Sequence, residues 1–65
     1  MTFGDVIKEK RKKAGLSMDQ VAQELGVTRQ VIFLYEHNKT TPKLHNAIKL
    51  ANLFQINLND VKMGK

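Results

Sequence analysis

Helix-start and helix-stop residues recur along this chain at short intervals, and that punctuation confines it to a few brief helices. Thr2 with Asp5 reads as a capping box, with Asp in place of Glu. Phe3, Val6, Ile7 and Ala14 then fall on one helical stripe, and Gly15 ends the segment because glycine tolerates the left-handed conformation. Ser17 with Gln20 is a full capping box for a second helix, whose apolar side is Val21, Ala22 and Leu25 and whose stop is Gly26. Thr28 caps a third helix running to about His37. A polar loop, His37 to Thr41, follows. Thr41 is expected to cap a fourth helix with Pro42 at its first position, where a missing N–H costs nothing. Asn57 with Asp60 starts a short fifth helix through Leu58 and Val61. No stretch alternates apolar and polar residues over strand length, and no Asn-Gly or Asp-Gly hairpin signal occurs. The expectation is an all-α, five-helix single domain over residues 1–65.

The chain has 65 residues, enough for one domain with a marginal core. It has no cysteine, which excludes disulfides and thiolate zinc sites. The two histidines, His37 and His45, lack clustered acidic partners, so no metal site is expected. Self-association is the remaining way to enlarge the core. The longest aliphatic or aromatic run is Val31-Ile32-Phe33-Leu34-Tyr35, against roughly 20 residues for a membrane-spanning helix. The N-terminus has no apolar stretch after a basic start, so neither a membrane partner nor a secretory signal is expected. The absence of cysteine is compatible with a reducing cytoplasm, the expected location.

The charge balance fits a polyanionic partner such as nucleic acid, and equally an ordinary lysine-rich surface. Eleven Lys and Arg oppose six Asp and Glu, a net +5. Enzyme chemistry is not expected. There is no cysteine nucleophile, no pair of carboxylates at useful helical spacing and no glycine-rich phosphate loop, and no cofactor is implied.

The informative stretch is residues 17–37, two short helices joined by a tight turn at Gly26-Val27. Ala22 is small where the helices must approach closely, and Ile32 and Tyr35 supply the inward side of the second. Two helices crossing around a short glycine turn are the DNA-binding helix-turn-helix arrangement. The segment resembles the Cro and lambda-repressor type of helix-turn-helix domain, the XRE family. Arg11, Ser17, Ala22, Leu25-Gly26-Val27-Thr28, Ile32, Tyr35-Glu36, Lys39, Pro42, Ala51, Phe54 and the Asn57-Leu58-x-x-Val61 ending carry the resemblance, over about residues 5–62. Three positions depart from it. Met18 stands where members usually carry a phosphate-gripping Gln, Asn38 replaces a glycine, and Gln55 occupies a place where a helix-ending glycine is common.

At about 100° per residue, Arg29, Gln30, Phe33, Leu34 and His37 share one face of the third helix, and Val31, Ile32, Tyr35 and Glu36 share the other. The resemblance implies that the second face packs inward and the first enters the major groove. Arg29 suits guanine O6 and N7, and Gln30 suits adenine N6 and N7. Phe33 and Leu34 have three uses open to them: contact with thymine methyls, a patch for a protein partner, or folding back onto the core. The resemblance also implies a partly buried ion pair between Arg11 and Glu36. Phosphate contacts are expected from Ser17, Met18, Thr28, His37, Lys39, Thr40 and Lys43, helped by free N–H groups at helix starts near Ser17 and Pro42.

The implied function is a transcriptional regulator that binds double-stranded DNA, a repressor on a palindromic operator. A homodimer is implied too, with Leu53, Ile56 and Leu58 as candidate contacts that could equally complete the monomer core. An antitoxin or a pure protein-interaction module is the alternative on the same scaffold, although no toxin-binding segment is evident.

Overall fold

The computed structural model describes residues 2–57. It holds four helices: α1 (Phe3–Lys13), α2 (Met18–Leu25), α3 (Arg29–Glu36) and α4 (Leu44–Phe54). The fifth helix expected from Asn57 onward, with Leu58, Asp60 and Val61, lies outside the described residues apart from Asn57.

Local hydrogen bonds start three of the helices where expected. The Thr2 hydroxyl accepts the Asp5 N–H at 3.2 Å, and the Asp5 carboxylate accepts the Thr2 N–H at 3.3 Å. That Thr2 N–H, then the Thr2 hydroxyl, holds the Asp5 carboxyl below its usual 3.8, so the cap is intact at neutral pH and is lost as the pH falls through that lowered value. The Ser17–Gln20 box forms in the same reciprocal way, at 2.7 and 3.1 Å. Thr28 caps α3 through the Val31 N–H at 3.4 Å, without a return bond because Val31 has no side-chain acceptor.

The start of α4 differs from expectation. Thr41 and Pro42 stay outside the helix, and Lys43 is its N-cap, extended at ψ 158° and with no side-chain cap bond. Pro42 is buried instead of opening the helix. The first turn of α4 therefore begins only with the Ala47 N–H to Lys43 carbonyl bond, 2.8 Å.

All four helices end by one device. Gly15, Gly26, Asn38 and Gln55 each take a positive φ, between 55° and 73°. The residue after each donates its N–H back five positions: Leu16 to Arg11, Val27 to Ala22, Lys39 to Leu34 and Ile56 to Ala51, at 2.8–3.1 Å. This is the Schellman ending, which satisfies helix carbonyls that would otherwise lack donors. Ala14 was expected on the apolar stripe of α1. It is exposed at the helix end, because the chain reverses at Gly15 and delivers Leu16 to the core instead.

The core draws on every helix, with Phe3 and Ile7 from α1, Val21 and Leu25 from α2, Ile32 from α3 and Leu50 and Phe54 from α4. Ala22 and Ala47 are buried where side chains must be short. Gly4 is buried too, for a reason that periodicity does not reveal. A Cβ there would collide with the Tyr35 carbonyl oxygen and lie 2.6 Å from the Asn38 Oδ1. A glycine inside a helix costs about 1 kcal/mol relative to alanine. Here it lets α1 press against the end of α3.

The helix endings give a clean test. Gln55→Gly should raise stability by about 0.5–1 kcal/mol, because glycine enters the left-handed region without the Cβ penalty. Gly15→Ala should lower it by about 1 kcal/mol, although nothing lies within 4 Å of the added methyl. Thermal unfolding of both variants measures this, and a neutral Gly15→Ala would remove the backbone argument.

Candidate nucleic-acid interface

The two faces of α3 are as different as its periodicity requires. Ile32, Tyr35 and Glu36 are buried, while Arg29, Gln30, Phe33 and His37 are exposed. Val31, expected inside, is half-buried at the edge of the core.

Two polar contacts fix the inner face. The Arg11 guanidinium grips Glu36 with both arms of a fork, Nε to Oε2 at 2.6 Å and Nη2 to Oε1 at 3.1 Å. Its remaining arm, Nη1, donates to the Leu16 carbonyl at 3.0 Å. The Glu36 side chain is fully buried and that of Arg11 is 11% exposed. Such a pair offsets its desolvation through bidentate geometry and satisfied hydrogen bonds. On the other side of α3, the Asn46 amide donates to the Tyr35 hydroxyl at 3.1 Å, tying α3 to α4. Asn46 was not anticipated; its partner is eleven residues away and no local pattern marks it.

On the outer face, Arg29 and Gln30 stand at the start of α3, free of intramolecular hydrogen bonds among the described residues. Phe33 and Leu34, alike in sequence, part company. Phe33 is 44% exposed and stacks on His37 one turn later, with ring centroids 4.2 Å apart. Leu34 is half-buried and lines a groove of about 400 Å³ with Val31, Tyr35, Thr40, Lys43 and Asn46.

The candidate phosphate contacts border this face. Ser17, Thr28, His37, Lys39, Thr40 and Lys43 are all exposed. At the helix start near Ser17 the capping box occupies the Ser17 and Gln20 N–H groups, which leaves those of Met18 and Asp19 to face outward. The Met18 side chain packs against the core and cannot replace a gripping Gln. The Ser17 and Thr28 hydroxyls accept within their caps and keep an O–H to donate. At α4 the open N–H groups begin at Leu44, two residues beyond the expected Pro42. Of the acids nearby, Glu36 is consumed by Arg11, while Asp19 stands exposed in the first turn of α2.

The candidate dimer contacts separate as well. Leu53 is exposed beside a groove that it lines with Glu24, Leu25, Lys49 and Asn52. Ile56 packs against its own core, and Leu58 lies outside the described residues. Among the described residues the most exposed large apolar one is Leu44, at 73%, with Ile48 one turn later on the same helix. Placing the start of α4 at Pro42 obscured that pair.

A family model described as helix-turn-helix matches residues 7–61. An uncharacterised HTH-type transcriptional regulator of Archaeoglobus fulgidus is 34% identical over 55 residues, covering 85% of this chain and 79% of its own. A protein of Pyrobaculum aerophilum, provisionally named an HTH-type transcriptional regulatory protein, is 41% identical over 51 residues; these are 78% of this chain but only 20% of that longer one. In three dimensions, the P22 c2 repressor, solved in complex with synthetic operator 9T, superposes with a TM-score of 0.82 at 24% identity, over 88% of this chain and 86% of that one. The fold is thus lambda-repressor-like.

Because Arg11 holds α3 to α1 and to the α1–α2 turn, its loss should be felt throughout. Arg11→Ala leaves a buried carboxylate without a partner and should cost about 3–5 kcal/mol, enough to unfold a domain of this size. Replacing both Arg11 and Glu36 by Met should cost much less. Urea unfolding of both variants beside the wild type measures it, and equal losses for Arg11→Ala and the double variant would refute the pairing argument.

Proposed function

This chain belongs to the helix-turn-helix family, and we propose that it binds double-stranded DNA sequence-specifically as the DNA-reading part of a transcriptional repressor. The observation that carries this reading is the division of α3. Its inner face is held by Arg11–Glu36 and Tyr35–Asn46, while Arg29, Gln30 and Phe33 stand clear on the outer face. In this motif the second helix lies in the major groove with its N-terminal residues on the base edges. Arg29 and Gln30 occupy that end of α3. The net charge of +5 and the exposed Lys39 and Lys43 suit the phosphate backbone. The neighbouring P22 protein is a repressor on an operator, which supports repression over activation for this chain. No described helix is long and apolar enough to cross a membrane, and the cytoplasm is the compartment in which we place its action.

We further propose a homodimer on a palindromic site. Two-fold symmetry would set two copies of α3 about 34–36 Å apart, one turn of DNA. Leu53 is the candidate contact that the fold leaves exposed. Leu58 stays in the proposal from sequence, and Ile56 is better used in the core.

Selection of duplexes from a random pool supplies the site. On it, Arg29→Ala should cost about 1–3 kcal/mol and relax preference at one base pair. Lys39→Ala should weaken all duplexes about equally and lower the salt slope by about one. Equal loss on selected and random DNA for Arg29→Ala would remove its base-reading role. Sedimentation of the wild type and of Leu53→Glu tests association. A wild type that stays monomeric both free and on its selected site would overturn the dimer.

A further inference from the structure

The ring pair at the end of α3 does more than fill space. Phe33 and His37 are one helical turn apart, both exposed, with ring centroids at 4.2 Å and planes tilted by 33°. An apolar ring in water gains by covering one of its faces, and the imidazole is the cover that Phe33 uses. The contact occupies the ring faces, and among the described residues neither imidazole nitrogen has a hydrogen-bond partner. His37 is also the C-cap of α3, where the helix dipole favours a positive charge.

The charged groups around the ring leave it without an anionic partner. On α3 itself, Glu36 is turned inward and bound to Arg11, and Arg29 lies two turns earlier. On α1, which presses on this end of α3, Asp5 is engaged by Thr2 and by the Asn38 side chain. In the loop that follows, Lys39 adds a further cation. No uncommitted carboxylate is available to the ring on its own helix, on that start of α1 or in that loop. An arriving phosphate would supply the missing anion, and an imidazolium still stacks on an aromatic face.

We propose that His37 is a proton-linked phosphate contact whose ring also sets the angle at which Phe33 meets the base edges, so that one stacked unit joins backbone grip to base reading. The proposal rests on the DNA-binding reading above and adds to it a proton and a positioning role. The protonated form is the one that binds phosphate, so binding takes up a proton. Affinity is therefore higher at low pH than at high pH.

The test uses the full chain and its selected duplex between about pH 5.5 and 8, with thymine or uracil at each position in turn. The wild type should lose roughly three- to tenfold in affinity across that range. It should also weaken when uracil removes one particular methyl. His37→Phe preserves a ring pair without a proton, and should bind independently of pH while keeping the uracil effect. His37→Ala should lose both, and His45→Gln should keep the pH dependence. In NMR titrations the midpoint of His37 should rise on addition of the duplex. A His37→Ala variant that retains the pH dependence and the uracil effect overturns the inference while DNA binding stands. A wild type indifferent to uracil at every position overturns the role given to Phe33. A wild type that binds no duplex overturns both this inference and the function on which it rests.

Discussion

The guanidinium of Arg11 ties together parts of the chain that share no local pattern. Two of its nitrogens hold Glu36 on α3, a third holds the Leu16 carbonyl, and the Arg11 carbonyl accepts the Leu16 N–H. One residue thereby closes the end of α1, shapes the turn into α2 and sets the rotation of α3 about its axis. That rotation decides which residues face outward. A lysine could not substitute for this, because it lacks the planar fork that reaches a carboxylate twice and a carbonyl once. The fully buried Glu36 carboxylate would be costly without it. The pair therefore lends the domain specificity of arrangement more than raw stability.

Helices of 8–11 residues are too short to persist on propensity alone. Their ends supply what their length does not. The left-handed residue after each helix redirects the chain sharply and returns an N–H to the helix it leaves. Two of the four such residues are Asn38 and Gln55. Asparagine reaches this conformation readily, and glutamine less so. Asn38 also serves the packing, since its side chain lies against Gly4 and engages Asp5. Gln55 has no such second contact, and its occupancy of the position has no structural account here.

Much of this was legible in the residues, for a physical reason. Thr2, Ser17, Thr28, Gly15 and Gly26 act on neighbours within five positions, so their meaning is local. The opposed faces of α3 follow from helical period alone. Arg11–Glu36 came from family resemblance, since 25 residues separate the partners. What stayed hidden depends on neighbours distant in the chain. Asn46 meets Tyr35 only after α3 and α4 pack, and Gly4 is explained only by a carbonyl on another helix. Thr41-Pro42 carried a convincing start signal, yet burial of the proline won over its local preference. Phe33 and Leu34 sit side by side on the outer arc, and period does not separate adjacent residues at the margin of a face. Family membership and fold follow from the family match and the structural superposition.

The missing side chain at residue 4 carries a lesson about how such a domain can diverge. Arg29 and Gln30 project into open solvent without intramolecular hydrogen bonds among the described residues. They can be exchanged with little effect on the fold, so the outer face of α3 is free to vary without disturbing the core. Gly4 has the opposite freedom. It is buried against the end of α3, and a single methyl there would have to displace the backbone of α3 at Tyr35. The exposed residues can drift while the buried glycine cannot, so a position on the inner side of the helix pair holds the outer face of α3 in place.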